Sequence, residues 1–402
     1  MPLVCYSTHF CIVSRNAIGN LTPLLDKRFR PKCVVLLERK GMQKYGDYLV
    51  SILQGIGITC QRVNITDITN FEASRQQVTD LLGNYSVGSV ALNSSCGHRL
   101  LTLAAYTAFQ QAGLSVFYVN PENDHLSWVL PENQPSTDLG DHLTIKQFLQ
   151  LQGTQLVSFE SDIISELFDP LFDELLSQVE RFSKPLKVVN ALATSARYSP
   201  SFTSQPLSVE QQYDNALRDL VDVFVKYECC GMQGDKLVFV NETARNFVNG
   251  GWLELFACRQ VQKMATDHAE IQDVARNVEI RNGDQVNNEM DVVFLANNHL
   301  FLIECKTMDF AAIKGKMSFR KVKEKKRAAR EQVYRMDSLK ELHGGLHGEA
   351  MILSYHPLPK EAIQRAEDLG LCICASTDLL NFETIVRDWA LPKYGRFIED
   401  AS

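Results

Sequence analysis

No stretch of the 402-residue sequence approaches the roughly 18 uninterrupted apolar residues that a membrane-spanning helix needs. The opening Met1-Pro2-Leu3-Val4-Cys5 lacks the basic start and apolar stretch of a signal peptide. Both absences predict a cytoplasmic protein with no membrane association. There is no Cys-x-x-Cys pair, and the eleven cysteines are odd in number and scattered, several in apolar runs such as Cys33-Val34-Val35-Leu36-Leu37 and Leu371-Cys372-Ile373-Cys374. They read as reduced core residues rather than a disulfide framework. His343 and His347 have a zinc-like spacing but no accompanying ligand cluster. The first half contains no Gly-x-Gly-x-x-Gly after a strand, which removes a nicotinamide-dependent dehydrogenase. Internal repeats and low-complexity segments are also missing. What is present, 45% apolar and 22% charged residues, excludes disorder and collagen, and the length corresponds to two or three domains.

Charge is uneven. The total is −7, yet residues 311–330 hold nine basic residues and one Glu, a local +8 that leaves −15 on the other 382 residues. Such a run is either a solvated helix face or a patch that meets nucleic-acid phosphate.

Over the first 120 residues, β-rich runs without alternation (His9–Ser14, Cys33–Glu38, Ile58–Val63, Ser89–Asn93, Ser115–Asn120) are separated by amphipathic segments near 42–55, 71–83 and 99–112. That order predicts a doubly wound, Rossmann-like parallel sheet over 1–140. Ligands of such sheets bind beyond the carboxyl ends of the strands, here after residues 14 and 93. Residues 121–140 read as a closing loop. Residues 141–240 read as a helical connector, with helices Ile145–Leu151, Asp162–Phe182 and Val209–Glu228, and with strand Lys236–Val240 giving it a winged-helix-like end. The Cys229-Cys230 pair reads as connector core. A further α/β domain is expected over 241–402.

The strongest signal for chemistry runs from Asp291 to Lys306. Two apolar runs flank Asn297-Asn298, a pair that tolerates the positive φ of a tight hairpin. In that register Ala296 faces His299 and Asp291 faces Glu304, while alternation puts Lys306 on the face of Glu304. Two facing carboxylates repel unless a cation neutralises them, and oxygen ligands of this kind suit Mg²⁺ or Mn²⁺. The metal would activate water at a phosphodiester, and Lys306 could hold or deprotonate that water. Asn93-Ser94-Ser95-Cys96-Gly97-His98-Arg99 opens a helix after a strand, where backbone N–H groups, hydroxyls and a cation suit phosphate. Ser14, Asn20 and Thr22, in the first crossover, form a second wall at the same sheet edge.

The Asp291/Glu304-Cys305-Lys306 pattern is similar to the PD-(D/E)XK nuclease core, with Met290 where the motif name has Pro. The resemblance implies a restriction-endonuclease-like fold, catalytic Asp291, Glu304 and Lys306, a helix carboxylate in Glu254 of Gly250-Gly251-Trp252-Leu253-Glu254, and a further catalytic residue in Gln332. Asp291, Glu304 and Glu254 are then the metal ligands. Asn93–Arg99 resembles the N-x-T-G-G-T-K segment of CRISPR-associated Rossmann-fold sensor domains, which bind cyclic oligoadenylates. Here Cys96 replaces the first Gly, His98 the second Thr and Arg99 the Lys. On this resemblance Ser14, Asn20, Thr22 and the stretch Asn93, Ser94, Ser95, Cys96, Gly97, His98 and Arg99 contact the ligand. The order of the parts resembles two-domain ancillary nucleases of type III CRISPR systems. It implies a homodimer that encloses cyclic tetra-adenylate and cleaves DNA, RNA or both with Mg²⁺ or Mn²⁺. The rival reading is a non-enzymatic, ligand-responsive regulator that binds nucleic acid.

Overall fold

The computed structural model describes residues 6–391 apart from 87, 121–123, 282–286 and 311–318. The first part of the basic run, 311–318, and the end of the expected third domain, 392–402, lie outside the described residues. Among the described residues no helix is long and apolar enough to cross a membrane.

The first sheet is built from β1 (Thr8–Ile12), β2 (Cys33–Glu38), β3 (Thr59–Asn64), β4 (Val90–Asn93), β5 (Ser115–Val119), β6 (His125–Leu130) and β7 (Thr137–Asp138), in the order β3-β2-β1-β4-β5-β6-β7. β1 to β5 are parallel, joined by α1 (Ile18–Leu25), α2 (Gln43–Gly55), α3 (Phe71–Leu82) and α4 (Arg99–Gln111). The strand order reverses between β1 and β4, and their carboxyl ends frame the crevice expected of a doubly wound sheet. The expected closing loop instead contains β6 and β7, which add antiparallel strands at one edge. Its Pro, Asn and Asp residues masked the short apolar run Leu126–Leu130.

A helical layer follows: α5 (Ile145–Leu151), α6 (Asp169–Ser177), α7 (Val179–Ala196), α8 (Val209–Gln212) and α9 (Asn215–Lys226). The single helix expected over Asp162–Phe182 begins only at Asp169 and breaks at Gln178, and the one over Val209–Glu228 breaks at Tyr213–Asp214. Asp214 starts a new helix by accepting from the N–H groups of Ala216 and Leu217 at 2.9 and 3.1 Å, so its side chain competes with helix continuation. One segment of the expected connector, Gln155–Glu160, is a strand, β8, on the edge of the second sheet. A hairpin of β9 (Cys230–Gln233) and β10 (Lys236–Phe239), then α10 (Glu242–Asn246), close this layer.

The second sheet has the order β15-β14-β13-β12-β11-β8, with β11 (Ile271–Arg281), β12 (Asn287–Ala296), β13 (His299–Lys306), β14 (Gly348–Ser354) and β15 (Cys372–Ala375). Around it pack α11 (Trp252–Asp267), α12 (Phe319–Leu339), α13 (Lys360–Asp368) and α14 (Phe382–Ala390). Alternation sorts the β12–β13 side chains onto two cores. Val292, Phe294, Phe301 and Ile303 pack with Trp252 and Phe256 of α11, while Val293, Leu295, Leu300 and Leu302 pack with Ala329 and Val333 of α12. The second core is continuous with the first sheet through Ile145, Phe148 and Leu149 of α5 and Ile18 and Leu21 of α1.

Candidate functional sites

The expected hairpin forms in the expected register. Asn297 and Asn298 have φ of 47° and 59°, Ala296 pairs with His299 and Val292 with Ile303. One further rung brings Asp291 level with Glu304, and the Cys305 N–H donates to Asp291 Oδ2 at 2.7 Å. By alternation Asp291, Glu304 and Lys306 lie on the α12 face.

Glu304 is 1% exposed. Its Oε1 accepts from Lys306 Nζ at 2.7 Å and from Arg335 Nη1 at 2.5 Å. Arg335 Nη2 also donates to the Glu289 carbonyl at 3.0 Å, fixing α12 against β12. Glu254 enters in the first turn of α11. Gly250, at φ 128°, precedes that helix, and a Cβ there would stand 2.6 Å from Thr307 Oγ1. Only glycine lets this turn approach the strand end so closely.

Burial and the neighbouring Glu304 push the Asp291 carboxyl well above the usual carboxylate range, with Lys306 opposing and Glu254 adding to the rise. Glu254 is raised by burial, against Lys306 and with Glu289 and Glu304. Burial alone would lower Lys306, but Glu304 and Asp291 outweigh it and raise the amine. The protein therefore holds two carboxylates, Asp291 and Glu254, where their charge is disfavoured. Among the described residues no three His, Cys, Asp or Glu side chains are gathered as a metal cage. Glu304 is turned toward its two cations instead.

A stability effect follows. A carboxyl raised in the folded state favours folding at pH below the unfolded value near 4, and that contribution is lost as pH rises through the folded value. Asp291→Asn is therefore expected to gain melting temperature relative to the parent between pH 5 and pH 8 in chelator. A difference that stays constant or shrinks in thermal melts at the two pH values contradicts the assignment.

A cavity of about 980 Å³ opens beside these groups, lined among others by Glu254, Glu289, Cys305, Lys306, Asn249 and Phe159. One wall was not foreseen: Lys187, Asn190, Ala191 and Thr194 of α7 also line it, at the i, i+3, i+4, i+7 spacing of one helix face. Lys187 and Lys325 converge on Asp309 at 2.6 and 3.2 Å. Gln332 stands one turn before Arg335 on α12, and its Oε1 is buried without a hydrogen-bond partner among the described residues. Arg335 was also missed. It lies 31 positions from Glu304, and nothing local in the sequence marks it.

At the first sheet the β4–α4 loop divides into two parts. Asn93 Nδ2 donates to the Gly19 carbonyl at 2.7 Å, Ser94 Oγ to the Phe117 carbonyl at 2.9 Å, and Ser95 Oγ accepts from the Val119 N–H at 2.7 Å. These three side chains tie the loop to α1 and β5. The Cys96 thiol is buried, which pushes it up to about 11. Asn20 donates to the Ile12 carbonyl at 2.9 Å, and Thr22 to Asp124 Oδ1 at 3.0 Å, both from fully buried positions. Asn20 and Thr22 thus brace the crossover and do not line the cavity there. That cavity, about 390 Å³, is lined by Val13, Ser14, Arg15, Arg39, Met42, Gly97, His98 and Arg99. Three arginines around one crevice form an anion site. Arg15 lies in the first crossover already read as a wall, whereas Arg39 escaped the sequence reading although it follows the carboxyl end of β2.

Fold and site together describe a Rossmann-like sheet joined to an α/β domain that carries a carboxylate–lysine cluster. Residues 241–393 match the family model of the Card1-like endonuclease domain, and residues 21–124 match the HFX_2341_N-like N-terminal model. The chain is similar to protein VC1899 from Vibrio cholerae, with 28% identity and a TM-score of 0.84 over 96% of this chain and 98% of that one. It shares the fold of Can2 from Sulfobacillus thermosulfidooxidans, solved in complex with cyclic tetra-adenylate, with 23% identity and a TM-score of 0.76 over 95% and 99% of the two chains. A type III CRISPR defence DNA nuclease activated by cyclic oligoadenylate matches at 16% identity and a TM-score of 0.52, over 88% of this chain and 47% of that one. No curated protein matches the sequence.

Proposed function

We propose that this protein is a metal-dependent endonuclease of type III CRISPR defence, switched on by a cyclic oligoadenylate, with cyclic tetra-adenylate as the ligand. The observation that carries the reading is the coexistence of two sites on one chain: the carboxylate–lysine end of the β12–β13 hairpin and the arginine-lined crevice of the first sheet. The likeness to Can2 and to the type III nuclease supports the pairing. In this reading residues 1–140 sense, 141–240 connect and 241–402 cut, with the cut made at a PD-(D/E)XK-type site.

Asp291, Glu304 and Glu254 would hold the metal. Their oxygen-only donor set fits Mg²⁺ or Mn²⁺, and the raised protonation of Asp291 and Glu254 is the strain that a dication relieves. When bound, the metal supplies positive charge to the phosphate and acidifies water. Lys306 Nζ, already 2.7 Å from Glu304, orients the attacking water and carries charge at the cleaved phosphate. Gln332 offers its unpartnered amide oxygen to that water. The α7 wall and Lys325 hold the flanking strand.

In the crevice Arg15, Arg39 and Arg99 take phosphates, with Ser14, Gly97 and His98 as the floor. The crevice is open and suits part of a ring. A two-fold pair of chains would present it twice to a symmetric tetranucleotide, which makes the homodimer the working form.

The test is cleavage of labelled single-stranded DNA, single-stranded RNA and supercoiled plasmid, with and without the divalent metal and cyclic tetra-adenylate. Cleavage that requires both is expected. Metal-dependent cleavage indifferent to the ring removes the ligand assignment. Sequence-specific binding with no cleavage under any condition replaces the enzyme with a non-catalytic regulator.

A further inference from the structure

Hairpin turns usually stand in water, where their polar groups are hydrated. The turn of the catalytic hairpin does not: Asn298 is 2% exposed, and each polar group of its side chain is engaged. Its Nδ2 donates to Asp124 Oδ2 at 2.5 Å and to Asp141 Oδ1 at 3.2 Å. Its Oδ1 accepts from Gln272 Nε2 at 2.7 Å, and its N–H donates to Gln272 Oε1 at 3.0 Å. Asp124 immediately precedes β6 of the first sheet and accepts from Thr22 of α1. The same helix begins at the Gly19 turn, whose carbonyl accepts from Asn93. A continuous path thus runs from the β4–α4 loop through α1, Thr22 and Asp124 to Asn298.

From Asn298 two strands lead about 20 Å to Asp291 and to Glu304. They are packed on both faces by the two cores, and a segment packed in this way shifts as a body instead of bending. Asp124 is buried without a cationic partner among the described residues, and burial with Asp141 and Asp138 nearby raises its carboxyl well above the usual range.

We infer that Asn298 and Asp124 are positioning residues, through which occupancy of the crevice at Arg15, Arg39 and Arg99 sets the placement of Asp291, Glu304 and Lys306. The inference rests on the ligand-activated reading given above. A ligand that displaces the β4–α4 loop or α1 moves Thr22 and Asp124, and the hairpin carries that movement to the Cys305–Asp291 and Arg335–Glu304 contacts. Linkage requires the reverse effect as well, so the state of the hairpin alters ligand affinity.

The test uses the full chain with cyclic tetra-adenylate and Mn²⁺. Asn298→Gly keeps the turn, because glycine adopts its positive φ, and removes the amide. Asp124→Asn keeps the shape of the partner. Ring binding by calorimetry, cleavage with and without ring, and amide exchange along His299–Lys306 are read together. The ratio of ring-activated to ring-free cleavage is expected to fall at least tenfold in Asn298→Gly, with the ring-free rate within threefold of the parent. The Cys305 amide is expected to change its exchange with the ring in the parent and not to respond in the variant. A parental activation ratio in both variants overturns the inference. So does a parallel fall of ring-free and ring-activated rates, the mark of a purely structural role. A parent chain that fails to bind the ring removes the ligand assignment instead. The relay is then decided by exchange in the ligand-free chain, where Asn298→Gly must speed the Cys305 amide, and unchanged protection overturns it.

Discussion

Glu304→Ala is expected to lower metal-dependent cleavage by a factor of about 10³ or more, the scale on which the loss of one group stabilising the transition state is felt. The side chain is held by Lys306 and Arg335 and stands level with Asp291. Its removal takes a carboxylate from the proposed metal set and leaves the two cations facing each other. Since Lys306 is mostly buried, that unpaired charge also lowers stability. Glu304→Gln separates the two effects, because it keeps the shape and one acceptor oxygen while losing the charge. Both variants are expected to lose cleavage, with the glutamine form melting closer to the parent. Cleavage retained within tenfold in a folded Glu304→Gln chain would falsify the site.

Gly97→Ala is expected to weaken cyclic tetra-adenylate binding about 100-fold or more, equivalent to about 2.8 kcal/mol at 1.4 kcal/mol per factor of ten. Gly97 has φ 113°, and a Cβ there would lie 2.2 Å from Ile12 Cγ2 and 2.6 Å from Ile12 Cβ. Those atoms belong to a β-branched core residue on β1, which has no free rotamer to yield into. The loop must therefore move away from β1, and His98 and Arg99 go with it. Titration calorimetry of the variant against the ring reads the loss directly. Affinity within threefold of the parent means that the ligand is not held by this loop.

The parallel sheet was legible because β1, β2 and β4 are buried on both faces and therefore carry unbroken apolar runs. The hairpin register was legible because one Asn-Asn pair between two apolar runs fixes which residues face each other. The edge strand β8 was not. Gln155–Glu160 pairs with β11 on one side only and leaves Val157 and Phe159 half exposed, so it lacks the burial that marks a strand. Within the candidate site, the residues carried by β12 and β13 could be read from spacing, while Glu254 at the start of α11 came only from the resemblance to the nuclease core. Arg335, Lys187 and Asn190 could not, since their roles arise from how α12 and α7 pack across the sheet. In the β4–α4 loop the reading treated Asn93–Arg99 as one binding stretch, and the structure divides it. Asn93, Ser94 and Ser95 are polar because they fasten the loop to α1 and β5, and the cavity belongs to the residues after them.

The apolar core that passes from α1 and α2 through α5 to β12, β13 and α12 makes the two sheets one mechanical object. A cut near residue 140 would bare Ile145, Phe148 and Leu149 on one fragment and Ile18, Leu21 and Leu49 on the other. Neither half is a portable module. In the proposed reading, exchanging the sensing half for one with another ligand preference would mean re-fitting this seam side chain by side chain, which would tie the inheritance of a ligand to the inheritance of the blade.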